Sequence, residues 1–186
     1  MEDQNIKSSK HYFRIKTEWT AEDESGNLSK VKTEELVLAT CFTEAEKVAY
    51  AIAEDQNRGK YGDFNIDIVK TKISDVLYND ILAHDSKLIC GMVCNYFEED
   101  ETSGFGLYAV KAVYIETDEK TGKEKKTTDT IYVPAISNAD ATDAVQQYLS
   151  TGAIDFVIRD TKFDKAEAIY WPSEVQKEKL RCFNNK

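Results

Sequence analysis

Apolar and polar residues alternate along Tyr12-Phe-Arg-Ile-Lys16 and again along Leu107-Tyr-Ala-Val-Lys111. A period of two sends successive side chains to opposite faces, so both stretches predict half-buried β-strands. Each leads into a charged, glycine-containing stretch, Asp23-Glu-Ser-Gly26 in one case and Asp118-Glu-Lys-Thr-Gly122 in the other. A second strand-like run follows each, Thr33 to Thr40 and Thr128 to Ala135. Strand, charged turn and strand predict a hairpin in each half, reversing at Gly26 and Gly122 with the tips kept in water by their charges. Pro134 has no amide to give to a ladder, so its strand should end there or lie on an edge.

The period then changes to that of a helix. Thr43-Glu-Ala-Glu46 and Ser137-Asn-Ala-Asp140 each place a hydroxyl at a helix start and a carboxylate three residues on, a full capping box and a shortened one. Behind them, Ala45, Val48, Ala49 and Ile52 in one half, and Ala141, Ala144, Val145, Tyr148 and Leu149 in the other, fall on one helical face. These are amphipathic helices expected to lie on a sheet. Alternation returns at Phe64, Ile66 and Ile68 and at Ile154, Phe156 and Ile158. Thr71-Lys-Ile73 then answers to Thr161-Lys-Phe163, and Val76-Leu-Tyr78 to Ala168-Ile-Tyr170.

Five segments matching in the same order, at an offset of about 95 residues, predict an internal duplication. The expected fold class is α+β: two tandem pseudo-repeats, each an antiparallel sheet with one amphipathic helix in the order β-β-α-β-β, plus a short C-terminal helix. The first repeat spans residues 1–80, with strands near Tyr12 to Thr20, Val31 to Cys41, Phe64 to Lys72 and Ser74 to Tyr78, and a helix near Thr43 to Asp55. The second spans 87–186, with strands near Gly106 to Thr117, Thr128 to Ala135, Asp155 to Asp160 and Ala166 to Trp171, and a helix near Ser137 to Leu149. Two pieces fall outside the repeat. Lys87 to Phe97 reads as an extra leading strand entering a hairpin through Glu98 to Gly104, and the chain after Pro172 as a helix over Ser173 to Arg181. Asn79 to Ser86 is the expected hinge.

Charge narrows the partners. The net charge is −10, shared evenly by the two halves, and its field repels phosphates; no nucleic acid is expected, and a basic protein or a cation fits better. No apolar run is long enough to span a bilayer, and the opening residues lack a basic region followed by an apolar one. No membrane partner and a cytoplasmic location are therefore expected. The four cysteines, Cys41, Cys90, Cys94 and Cys182, are too scattered for a disulfide framework and should be mostly free thiols.

Candidate chemistry is sparse. Cys90-x-x-x-Cys94, with His84 and Cys182, invites a metal reading. On one strand, however, the two cysteines would stand about 13 Å apart, and buried thiols packing as small hydrophobes are the expectation. A cysteine nucleophile would need His11 or His84 as its base, and neither sits in a catalytic pattern. No phosphate-binding glycine loop, nucleophile elbow or zinc-protease helix motif is present, and Gly104-Phe-Gly106 lacks a third glycine and a following helix. The acid runs Glu22-Asp-Glu24 and Glu98-Glu-Asp-Glu101 read as solvated loop tips, and Tyr12, Phe13, Trp19, Tyr108 and Tyr114 as core aromatics. No catalytic residue, metal or cofactor is assigned.

Tyr12-Phe-Arg-Ile-Lys16, Thr33-Glu-Glu-Leu-Val-Leu-Ala39, Phe42-Thr-Glu-Ala-Glu46 and Lys70-Thr-Lys-Ile73 together resemble an uncharacterised family of Bacteroidetes and their bacteriophages, of the crAss-like phage type. The resemblance is clearest from Tyr12 to Tyr78, rests on structural motifs and carries no functional residues. It implies a phage or mobile-element context, hence the host cytoplasm or the virion as the place of action. The expected function is that of a non-enzymatic binding protein, contacting another protein, of host or phage, through a pseudo-symmetric two-lobed acidic surface. Two alternatives stand beside it. One is a virion structural or assembly component that pairs strand edges with further copies of itself; the other is a small-molecule-sequestering, anti-defence protein or an enzyme using the inter-lobe cleft.

Overall fold

A computed structural model describes residues 9–78, 86–97 and 104–184. Along the chain run β1 (His11–Glu22), β2 (Leu28–Ala39), α1 (Phe42–Asp55), β3 (Phe64–Lys70), β4 (Ser86–Ile89) and β5 (Met92–Tyr96). There follow β6 (Gly106–Thr117), β7 (Glu124–Ala135), α2 (Asn138–Ser150), β8 (Asp155–Asp164), β9 (Ala168–Pro172) and α3 (Ser173–Asn184). The protein is a strand-rich α+β chain of two sheets and three helices.

Both predicted hairpins form. β1 pairs antiparallel with β2 from His11↔Ala39 to Glu22↔Leu28, and β6 with β7 from Gly106↔Ala135 to Thr117↔Glu124. Each tip is organised by an aspartate. Asp23 Oδ1 accepts from the Ser25 and Asn27 amides, and Asp118 Oδ1 from the Lys120 and Thr121 amides. Gly26 (φ 82°) and Gly122 (φ 64°) take the left-handed conformation that closes each turn. The run Glu22-Asp-Glu24 is exposed there, as solvated tips should be. β3 returns antiparallel along the free side of β1, and β8 along the free side of β6, with a bulge opposite Lys111 and Ala112. β7 is an edge strand of its sheet and ends one residue past Pro134, within the limits the missing amide sets.

The strand orders are β3-β1-β2-β9-β5-β4 in the larger sheet and β7-β6-β8 in the smaller. α1 covers one face of the six-stranded sheet, where Val48, Ala49 and Ile52 meet Ile15, Val37, Cys94 and Tyr170. The other face carries Tyr12, Leu36, Ile169 and Trp171, which pack with Val76, Leu107 and the inner side of α3 at Val175. α2 covers the smaller sheet through Ala141 and Val145 against Val110, Ile131 and Val133. Each such fully buried aliphatic side chain contributes about 1.5–3 kcal/mol from removal of its surface from water. Arg14 of β1 ties the two sheets: its guanidinium donates to both oxygens of Asp164 at the end of β8 (2.9 and 2.8 Å) and to Glu34 of β2 (3.0 Å).

Four local expectations are corrected. Ser74 to Tyr78 is not a strand of the first sheet; it makes one parallel bridge, Val76↔Tyr132, to β7 of the other sheet. β9, from the opposite end of the chain, instead lies parallel to β2 (Glu35↔Ala168 to Val37↔Tyr170), so each segment has crossed to the sheet of the other half. Lys87 to Phe97 is not one strand but the hairpin β4–β5, reversing at Cys90 (φ 50°) and Gly91 (φ 77°), two consecutive left-handed residues as in a type I′ turn. Cys90 is therefore exposed in a turn and only Cys94 packs as a buried thiol, which removes the shared strand face assumed for the pair. β8 runs on through Thr161-Lys-Phe163 to Asp164, past its expected end at Asp160. The hinge through residue 85 and the hairpin at 98–103 fall outside the described residues.

The fourth correction concerns the α1 cap. Its N-cap is Cys41, not Thr43, and makes no side-chain cap bond, so no capping box forms; Glu44, not Glu46, is the carboxylate at the helix start, accepting from the Thr40 amide (2.7 Å) and the Thr40 hydroxyl (2.6 Å). In α2 the expected cap holds, with Ser137 Oγ accepting from the Asp140 amide (3.1 Å), while the Asp140 carboxylate reaches the Ile136 amide (3.1 Å). Both helix starts thus carry a carboxylate bonded to the amide four residues back. The Thr40 hydroxyl, then its amide, hold the Glu44 carboxyl below the usual carboxylate range. A depressed native pKa stabilises the fold above the unfolded value, about 4.3, and that stabilisation is lost as pH falls through the native one. Glu44→Gln should therefore lower stability by about 1 kcal/mol at pH 7 and by much less near pH 3. Urea melts of both proteins at the two pH values check this, and a difference independent of pH would refute it.

Candidate binding cleft

Two helix faces with the same spacing line one space, α2 on the smaller sheet and α3 against β9 and β5 of the larger. On α2 they are Ala144, Gln147 and Tyr148, continued by Thr151 at its C-cap; on α3, Val175, Glu178, Lys179 and Cys182. Residues at i, i+3, i+4 and i+7 share one stripe of a helix, so each set forms one wall. Leu77, Tyr78 and Val133 floor the space between them, and the cleft has a volume of about 590 Å³. Its lining is mostly apolar, and the polar groups gather at the rim. Tyr148 is 41% exposed there, and Cys182 is an exposed thiol.

The rim is built on Asp75 and Lys179. Lys179 Nζ donates to Asp75 Oδ1 (2.6 Å) and to the Val76 carbonyl (2.9 Å), and lies 5.0 Å from the centre of the Trp171 ring. The Val76 amide donates to Asp75 Oδ1 (2.9 Å). On either side of Val76 the backbone bonds to β7, with the Leu77 amide donating to the Tyr132 carbonyl (2.7 Å) and the Tyr132 amide to the Asp75 carbonyl (3.4 Å). The outward-facing backbone groups of Val76 are thus satisfied by two side chains, where an inner strand would have a neighbouring strand. Behind the rim, Trp171 meets Tyr12 and Tyr78 edge to face, with ring centres 6.5 and 6.3 Å apart. Burial, and next to it the Asp75 carboxylate, push the Tyr12 phenol far above its ordinary pKa.

The second polar cluster is buried. Arg58, in the loop after α1, lays its guanidinium 4.5 Å from the centre of the Trp19 ring, donates to Gln56 Oε1 (3.1 and 2.7 Å) and bonds the Glu35 carboxylate of β2. The side chains of Arg58 and Glu35 are only 2% and 3% exposed, so this cluster is out of reach of a ligand and holds the loop to the sheet.

The residues singled out in the sequence scatter. Cys94 lies in the core, Cys90 in a turn, Cys41 at the start of α1 and Cys182 in the cleft; His11 opens β1 and shares a hydrogen bond with Ser9 (3.3 Å), and His84 is outside the described residues. Among the described residues, no three His, Cys, Asp or Glu side chains gather into a metal-binding set, and no helix is long and apolar enough to cross a membrane. Tyr12, Phe13 and Tyr108 are core residues, whereas Trp19 and Tyr114 are half-buried. Lys179, Asp75 and the helix faces were missed by sequence reasoning. The usable signal was the common i, i+3, i+4, i+7 spacing in α2 and α3.

Fold and cleft define a two-sheet α+β protein with a preformed apolar groove. The chain belongs to a family known by its shared domain, the domain of unknown function DUF4494, whose model matches residues 11–173. That match extends the expected resemblance beyond Tyr78, across β4 to β9. No curated protein and no solved structure matches the chain.

Proposed function

We propose that this is a non-enzymatic binding protein of phage or mobile-element origin, acting in the host cytoplasm. It would be built by duplication of one β-β-α-β-β unit, and it would contact another protein through an acidic two-lobed surface centred on the α2–α3 cleft. The cleft carries the reading. An apolar groove of this size with polar groups confined to its rim suits an apolar side-chain row of a protein better than a polar metabolite, and a net charge of −10 favours a basic partner. The duplication is supported by the recurrence of hairpin register, turn aspartate, cap carboxylate and third-strand pairing in both halves. The crossing of the Val76 segment and of β9 to opposite sheets suits two units fused in a pseudo-symmetric exchange.

A photo-crosslinking residue at Tyr148 should give one discrete adduct with a protein of the host or phage. The same residue at Tyr50, an exposed position on α1, should not. Equal yields at the two positions, or none at Tyr148, would count against the cleft as the contact site.

The assembly reading keeps one observation in its favour. β8 is a sheet edge with Val157 and Phe163 exposed, although its bulge and its charges work against open-ended pairing. Light scattering decides between them, since a monomer or dimer over a wide concentration range fits the binding protein and a growing polymer fits assembly.

A further inference from the structure

We draw no further inference here: the strongest candidate, the outer edge of β8 with Val157 and Phe163 exposed along it, is an unpartnered strand flank among the described residues, and nothing in the structure shows what covers it.

Discussion

Replacing Arg58 with alanine should cost about 3–5 kcal/mol of stability, enough to unfold much of a marginally stable chain. The reason is the partner left behind. Glu35 sits in the middle of the six-stranded sheet, between β1 and β9, with its side chain 3% exposed, and its carboxylate is balanced there by the Arg58 guanidinium. Removing the cation leaves a buried charge with no counterpart and also frees the loop after α1, which Arg58 pins through Gln56 and Trp19. The double replacement Arg58→Met with Glu35→Leu should recover most of the loss, because neither side chain then has to be stripped of water. Denaturant titration of the two proteins reads both effects. A cost below about 1 kcal/mol for Arg58→Ala would show that the pair is hydrated in solution.

The second large effect is expected at Trp171. It is fully buried on β9, wedged between Tyr12, Tyr78 and the Lys179 ammonium, where the larger sheet meets the segment that reaches over to β7. Trp171→Ala should cost about 3–5 kcal/mol, and Trp171→Phe clearly less, since a smaller ring still fills part of the cavity. Trp171→Ala should also loosen the floor of the cleft, so Cys182 should alkylate faster under native conditions than in the parent protein. Equal denaturation midpoints for Trp171→Ala and the parent would mean that this aromatic cluster is not a stabilising contact between the sheets.

What could be read from the amino acids was whatever depends on local period. The two long hairpins follow from alternation and from Asp and Gly at their tips, and the three helices from caps and apolar stripes. The β4–β5 reversal escaped notice because Leu88-Ile-Cys-Gly-Met-Val-Cys94 is apolar throughout, and Cys90 is not a residue that advertises a left-handed turn. The destination of Val76 was illegible for another reason. A short apolar segment can complete any neighbouring edge, and which edge it meets is settled by three-dimensional placement. The cap on α1 was misassigned by the attraction of a Thr-x-x-Glu spelling at Thr43, when the carboxylate contact actually made is that of Glu44 with Thr40. The cleft itself was hidden because its walls, though regular in spacing, mix apolar with charged residues and belong to elements far apart in the chain.

The placement of β9 has a consequence for how the protein comes into being. A strand made long after β2 is inserted between β2 and β5, in the interior of the larger sheet, and Glu35 must wait for Ala168 to arrive. A nascent chain on the ribosome can zip β1, β2 and β3 together early, yet β2 keeps a bare flank until β9 has emerged. Closing that gap is a contact across most of the chain's length, the kind that slows folding and leaves sticky backbone exposed meanwhile. A ribosome stalled before β9 would therefore carry a half-zipped, aggregation-prone product instead of a folded first lobe.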